Sequence, residues 1–172
     1  MATRLSGRLA EQRERGAAAL EFALVAPVLI MLLIGTVSAG LTYSDHVSLT
    51  NATREAARYG AAADGSVSGW ASSVQTRMQQ VYFDAAGTAP TDAQVCVQLV
   101  KADGTVLASD GGASCGTGPT LPAMTSGSCA VEVWVRKPGA IRLGILPDLQ
   151  VTVHAESVAV YGRVMGTSCT AK

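Results

Sequence analysis

Positions 22–44 carry no charged side chain, and this run of 23 residues constrains the chain more than any other feature. It is rich in Leu, Val, Ile, Ala and Met. As a helix it rises about 1.5 Å per residue and reaches about 35 Å. The hydrocarbon core of a bilayer is roughly 30 Å thick and takes about 20 residues to cross. A chain of 172 residues is too small to wrap such a helix on all sides. Charged residues are only 15% of the whole, where a soluble domain carries about 25%. The run reads as a single membrane span, and no second apolar run of comparable length follows.

Flanking charge orients it. Arg4, Arg8, Arg13 and Arg15 precede the run, against Glu11 and Glu14, while Asp45 and His46 follow it. Basic flanks stay on the cytoplasmic side. The expected protein is single-pass in the cell membrane, with a cytoplasmic N-terminus and an extracytoplasmic C-terminal domain. The alternative is a secretory signal cut after Val37-Ser38-Ala39, just before Gly40. Signal peptides have apolar regions of only about 7–15 residues; this one is longer and contains Pro27. That alternative gives a secreted or singly anchored ligand-binding domain, with the Gly-rich segment 111–128 as its reach. Thirteen basic against thirteen acidic residues exclude a strongly basic nucleic-acid binder.

Glu21 stands at the inner edge of the apolar run. Charge there is costly, so it usually has a task. A cut after Gly16 would make Ala17 a free amino terminus, with Glu21 one helical turn away. A carboxylate at that distance complements the helix N-terminus and offsets an α-ammonium, its own or a neighbour's.

The run Gly16-Ala17-Ala18-Ala19-Leu20-Glu21-Phe22-Ala23-Leu24-Val25-Ala26-Pro27-Val28-Leu29 resembles the TadE-like pseudopilins. So does Leu49-Thr50-Asn51-Ala52-Thr53-Arg54-Glu55-Ala56-Ala57-Arg58-Tyr59-Gly60. Gly16, Ala17, Glu21 and Phe22 are similar to the prepilin cleavage signal of Flp-type, tight-adherence pilins, whose major subunits carry Tyr where Phe22 stands. The resemblance implies a minor pilin or pilus-assembly component, cut by a membrane prepilin peptidase. Its implied partners are membrane lipid, that peptidase and other pilin or pseudopilin subunits, with no nucleic acid and no small-molecule substrate.

Beyond the span, positions 45–59 lack Gly and Pro and continue helically, with Arg54, Glu55 and Arg58 as a polar face and Gly60 as a glycine stop. After a small-residue linker, Ser66 or Ser68 is placed to cap a second helix. In that helix Trp70, Val74, Met78 and Val81 form an amphipathic stripe suited to core packing. The period then changes to two. Val95, Val97 and Leu99 alternate with polar neighbours or Cys96, and Asp103-Gly104 signals a hairpin into positions 105–108. Val131, Val133 and Val135, then Val151 and Val153, mark two further strands. The expected fold is α+β: a long N-terminal transmembrane helix, then a helix packed on an antiparallel meander of about four strands with one hydrophobic face. The domains read as a basic leader (1–16), the transmembrane helix and its extension (17–60, spanning about 22–44) and the α+β ectodomain (61–172).

All four cysteines, Cys96, Cys115, Cys129 and Cys169, lie on the extracytoplasmic side. An even count there favours two disulfides. The hairpin register favours Cys96–Cys115, leaving Cys129–Cys169; Cys115–Cys129 with Cys96–Cys169 stays open. There is no CxxC and there are only two histidines, so neither a metal site nor a cofactor is expected. Gly112-Ala113-Ser114-Cys115-Gly116 spells G-x-S-x-G, with Asp148 and His154 in hydrolase order. A nucleophile elbow needs a helix after the serine, and Thr117-Gly118-Pro119 cannot start one. No enzymatic activity is expected.

Overall fold

The computed structural model describes the backbone of residues 3–65, 68–86, 93–111, 115–116, 118–144 and 146–161, and the side chains of these except 3–17 and 83–86. The element order is α1 (Thr3–Ala62), α2 (Trp70–Ala86), β1 (Gln94–Lys101), β2 (Val106–Asp110), β3 (Cys129–Ile141) and β4 (Leu149–Val160). The fold is α+β, a long apolar helix followed by a helix and a four-stranded antiparallel sheet. The chain divides into two compact units, residues 1–41 with 140–149 and residues 42–139 with 150–172.

In the second unit the strand order is β2-β1-β3-β4. This corrects the expected meander. β1 and β3 are the most apolar strands, and they take the two inner places. Their register pairs Val95 with Val135, Val97 with Val133 and Leu99 with Val131, so six aliphatic side chains share one face. The β1–β2 hairpin turns where Asp103-Gly104 signalled it. Gly104 N–H donates to Lys101 O at 2.9 Å and Thr105 N–H donates to Asp103 Oδ1 at 2.8 Å. Gly104 supplies the positive φ (+86°) that such a turn demands. Thr105 also holds the Asp103 carboxyl below the usual carboxylate pKa.

The helical layer over that face has two sources. From α2, Trp70, Val74, Met78 and Tyr82 are buried, as the stripe predicts, with Val81 partly buried beside them. From the end of α1 come Leu49, Ala52, Ala56 and Ala57, all fully buried. Thr53 is buried with them and donates from Oγ1 to Thr50 O at 3.0 Å. Most of these α1 residues are small, so they let the helix approach closely, and small residues make a weak apolar stripe in a sequence.

Gly60 is not the stop that the sequence reading made it, because α1 continues to Ala62. A Cβ at Gly60 would lie 3.0 Å from both Val131 and Val74. Its carbonyl accepts the Trp70 indole N–H at 3.1 Å. Gly60 is a close-packing position between helix, helix and sheet. Of the two candidate caps for α2, Ser66 lies outside the described residues. Gly69 fills the cap place in Ser68's stead: its carbonyl accepts from Ser73 N–H at 2.9 Å.

The sheet is buried on both faces at its centre, which corrects the expected single hydrophobic face. On the second face Cys96, Cys115 and Trp134 form their own apolar cluster. Two described residues after β2 lie over that face: Cys115, bonded to Cys96, and Gly118, packed beside Glu132 and Trp134.

Candidate functional site

In the first unit α1 exposes apolar side chains all round. Leu20, Phe22, Leu24, Val25, Val28, Leu29, Leu32, Leu33, Val37 and Leu41 are each at least half exposed. Pro27 sits inside the helix. Residues 18–62 contain one helix long and apolar enough to cross a membrane, and no residue of its most apolar window is buried. A water-facing helix with this pattern would expose far more apolar surface than a soluble monomer tolerates.

Glu21 is exposed at the N-terminal end of this surface, beside the exposed ring of Phe22. Gly16 and Ala17 lie in the backbone of α1, four to five residues before it. Thr36 returns its hydroxyl to Leu33 O at 2.9 Å, so this side-chain donor is satisfied within the helix.

Past the apolar run, Asp45 meets two partners that are remote in sequence. Lys137 Nζ donates to Asp45 Oδ2 at 2.7 Å and to Tyr82 Oη at 3.0 Å. Tyr82 in turn donates to Asp45 Oδ1 at 3.3 Å. The lysine head also lies 5.5 Å from the centre of the Tyr82 ring, within cation–π reach. Burial works against the Lys137 charge, but its bonds to Asp45 and Tyr82 outweigh that and raise its pKa above the ordinary value. The cluster ties α1 to α2 and β3. A second tie joins the helices, Arg77 to Glu55 at 3.2 Å, at a more exposed place.

The second face of the sheet holds the disulfide. Cys96 and Cys115 are bonded, with Cα atoms 5.7 Å apart. Gly111 makes the approach possible. Its φ is +116°, and a Cβ there would lie 2.7 Å from Val95 O and 2.5 Å from Cys115 Sγ. Trp134 donates its indole N–H to Cys115 O at 3.2 Å and closes the cluster. Cys129 is disulfide-bonded as well; Cys169 lies outside the described residues.

Glu132 is the residue on this face that sequence reasoning missed. Alternation along β3 pointed it away from the helices, a direction that reads as solvent. It is only 3% exposed. Gly118 packs against it so closely that a Cβ there would lie 2.6 Å from Glu132 Oε2. Burial, reinforced by the like charge of Glu156, pushes its pKa up to about 7. The signal that could have found it is its place between Val131 and Val133, two residues from Trp134 on the same strand face, in a chain rich in glycine at 111–118.

Gly112, Ala113 and Ser114 lie outside the described residues, Cys115 is spent in the disulfide, and the element after β2 is β3. His154 is exposed on β4, 3.4 Å from Glu156. Asp148 is an exposed residue of the segment between β3 and β4. Among the described residues no group of three or more His, Cys, Asp and Glu is placed to hold a metal ion.

The chain matches no curated protein and no solved structure. A family model does match residues 16–58, a quarter of the chain lying wholly within α1, and its description is TadE-like protein. From Gly16 to Arg58, therefore, the chain is similar to TadE-like proteins.

Proposed function

We propose that this protein is a membrane-anchored minor pilin, or an assembly component, of a tight-adherence pilus system, and that it is not an enzyme. The observation that carries the reading is the exposed apolar surface of α1 over residues 22–41, preceded by a carboxylate, Glu21, one turn after the Gly16–Ala17 bond. The TadE-like match over residues 16–58 supports it. In this reading residues 1–16 are a cytoplasmic leader, 17–60 the span and its extension, crossing at about 22–44, and 61–172 the extracytoplasmic domain.

A prepilin peptidase cuts after Gly16. Four Arg and two Glu leave with the leader, so nine basic side chains remain against eleven acidic. The basic anchor is gone, and the inner boundary keeps two charges, the Ala17 amine and Glu21. An unpaired charge facing lipid costs on the order of a few kcal/mol. Pairing with a neighbouring subunit relieves that cost and favours lateral packing of helices. Glu21 then serves assembly more than cleavage.

The test is N-terminal sequencing, with membrane and pilus fractionation, of wild type, Gly16→Trp and Glu21→Ala in a host with an active prepilin peptidase. The expected results are a mature wild type starting at Ala17, an uncut Gly16→Trp chain, and a cut Glu21→Ala chain poorly recovered in assembled fractions. A wild-type chain still starting at Met1 would falsify the processing step. A reporter at Lys172 active only in the cytoplasm would overturn the orientation.

A further inference from the structure

The segment between β3 and β4 belongs to the same compact unit as the apolar stretch of α1. Arg142 N–H donates to Ser38 Oγ at 2.8 Å. Leu143 Cδ2 lies 3.4 Å from where a Cβ on Gly35 would stand, and Ile34 Cδ1 lies 3.3 Å from the same point on Gly144. The tip is therefore seated on α1 at residues 34–38, inside the charge-free run. Gly35 and Ser38 are small, which gives it room. Among its apolar side chains, Leu146 and Leu149 are more than half exposed. Its charged residues, Arg142 and Asp148, are exposed too.

We infer that the β3–β4 tip, residues 141–149, is a second membrane contact that inserts Leu146 and Leu149 among the outer-leaflet lipids at headgroup depth. This rests on the reading of α1 as a membrane span. The occupant of the apolar tip is lipid because the tip lies against the helix surface that lipid must surround. Headgroup depth follows from the backbone. Residues 142–144 and 146–148 lie outside helix and strand, and irregular backbone facing lipid cannot sit in the hydrocarbon region, where its polar groups would go unpaired. At the interface the leucines reach the acyl chains while Arg142 and Asp148 stay among headgroups and water.

The inference also moves the span. With the outer boundary at Ser38, the roughly 20 residues needed to cross reach back to about Ala19, beside the Gly16–Ala17 bond. The crossing segment is then nearer 19–38 than 22–44. Residue 42, the first of the second unit, follows Ser38 by four positions in the sequence.

The experiment places the full-length protein in phosphatidylcholine–phosphatidylglycerol vesicles whose acyl chains carry bromine either near the carbonyl or near the chain end. Leu146→Trp is compared with Val106→Trp, an exposed position on β2, and with Leu29→Trp in the apolar run. The added emission of Leu146→Trp should be quenched several-fold more than that of Val106→Trp, and more by shallow bromine than by deep. Leu29→Trp should be quenched strongly by deep bromine. If Leu29→Trp is quenched and Leu146→Trp behaves like Val106→Trp, the tip does not touch lipid and the inference fails alone. If Leu29→Trp is not quenched, the membrane reading of α1 fails and takes the inference with it.

Discussion

Lys137 on β3 holds Asp45 on α1 at 2.7 Å, 92 residues away in sequence. The lysine side chain is 17% exposed and the aspartate 42%. The pair stands where α1 passes from its charge-free stretch into the core of the second unit. Tyr82 bridges the two with its hydroxyl. Neither charge is free to swing away, because each has a second partner in the same cluster.

Asp45→Asn should therefore cost more than Lys137→Met. The first leaves a half-buried ammonium without its counter-ion, whereas the second replaces stem and charge with an apolar side chain of similar length. The expected loss for Asp45→Asn is about 1–2 kcal/mol, reduced by the exposure of the carboxylate. The double variant should lose less than the two single losses added, by about 1 kcal/mol. Denaturant unfolding of the detergent-solubilised protein measures all three. Because the folded Lys137 pKa is raised, the pair stabilises fully below the ordinary lysine value of 10.5 and fades as pH rises through the folded pKa. Strict additivity would show that the contact is not energetic.

Glu132 should give a pH dependence of opposite sign to that of an ion-paired carboxylate. Its pKa is about 7 folded, against 4.5 unfolded. As pH rises through that window, the unfolded chain releases the proton first, and stability is lost. The loss approaches about 3 kcal/mol above pH 7 at full development. Glu132→Gln keeps the shape without the charge. Relative to wild type it should be nearly neutral in stability at pH 4.5 and clearly more stable at pH 8. Unfolding midpoints at the two pH values decide this; an equal difference at both would mean that Glu132 titrates normally.

The Cys96–Cys115 bond closes a short loop, with a sequence separation of 19 residues. Loop-closure entropy for that length is worth about 3 kcal/mol. Cys96→Ala with Cys115→Ala should lower unfolding stability by up to that amount. It should also expose the Trp134 indole, whose N–H donates to Cys115 O. A red shift in tryptophan emission accompanying the destabilisation is the expected signature.

Gly60→Val tests the close packing of α1. Two methyl-bearing neighbours, on Val131 and Val74, already stand 3.0 Å from the Cβ position. Overpacking of this kind costs roughly 1–3 kcal/mol, more than the gain of about 0.5 kcal/mol from removing a helix glycine. A variant as stable as wild type would show that helix and sheet can part without cost.

Much of the architecture was legible because its signals are local. The apolar run of α1 needs only the absence of charge over 23 positions. The stripe from Trp70 to Val81 needs only the helical period, and the β1–β2 hairpin only Asp103-Gly104 between alternating residues. The α+β class follows from those periods in order. Of the candidate cleavage residues, the sequence supplied the spacing of Gly16, Ala17 and Glu21, and the structure adds the exposure of Glu21 and Phe22 on an uncovered helix.

What only the tertiary structure decided are the choices between distant partners. A strand's alternation shows that it has two faces, but not which strand lies beside it, so the order β2-β1-β3-β4 was open. Alternation also cannot tell whether a second face meets water. Here the chain around Cys115 and Gly118 covers it, and that cover turns Glu132 and Trp134 from expected surface into interior. Gly60 looked like a helix stop because a glycine has no side chain to show what it packs against. Asp45 and Lys137 are unremarkable letters 92 positions apart until α1 and β3 bring them within 2.7 Å. Periodicity is a property of one segment, and it is written in the order of residues. Partner choice depends on which buried surfaces fit together once the chain has closed on itself, and no single segment carries that information.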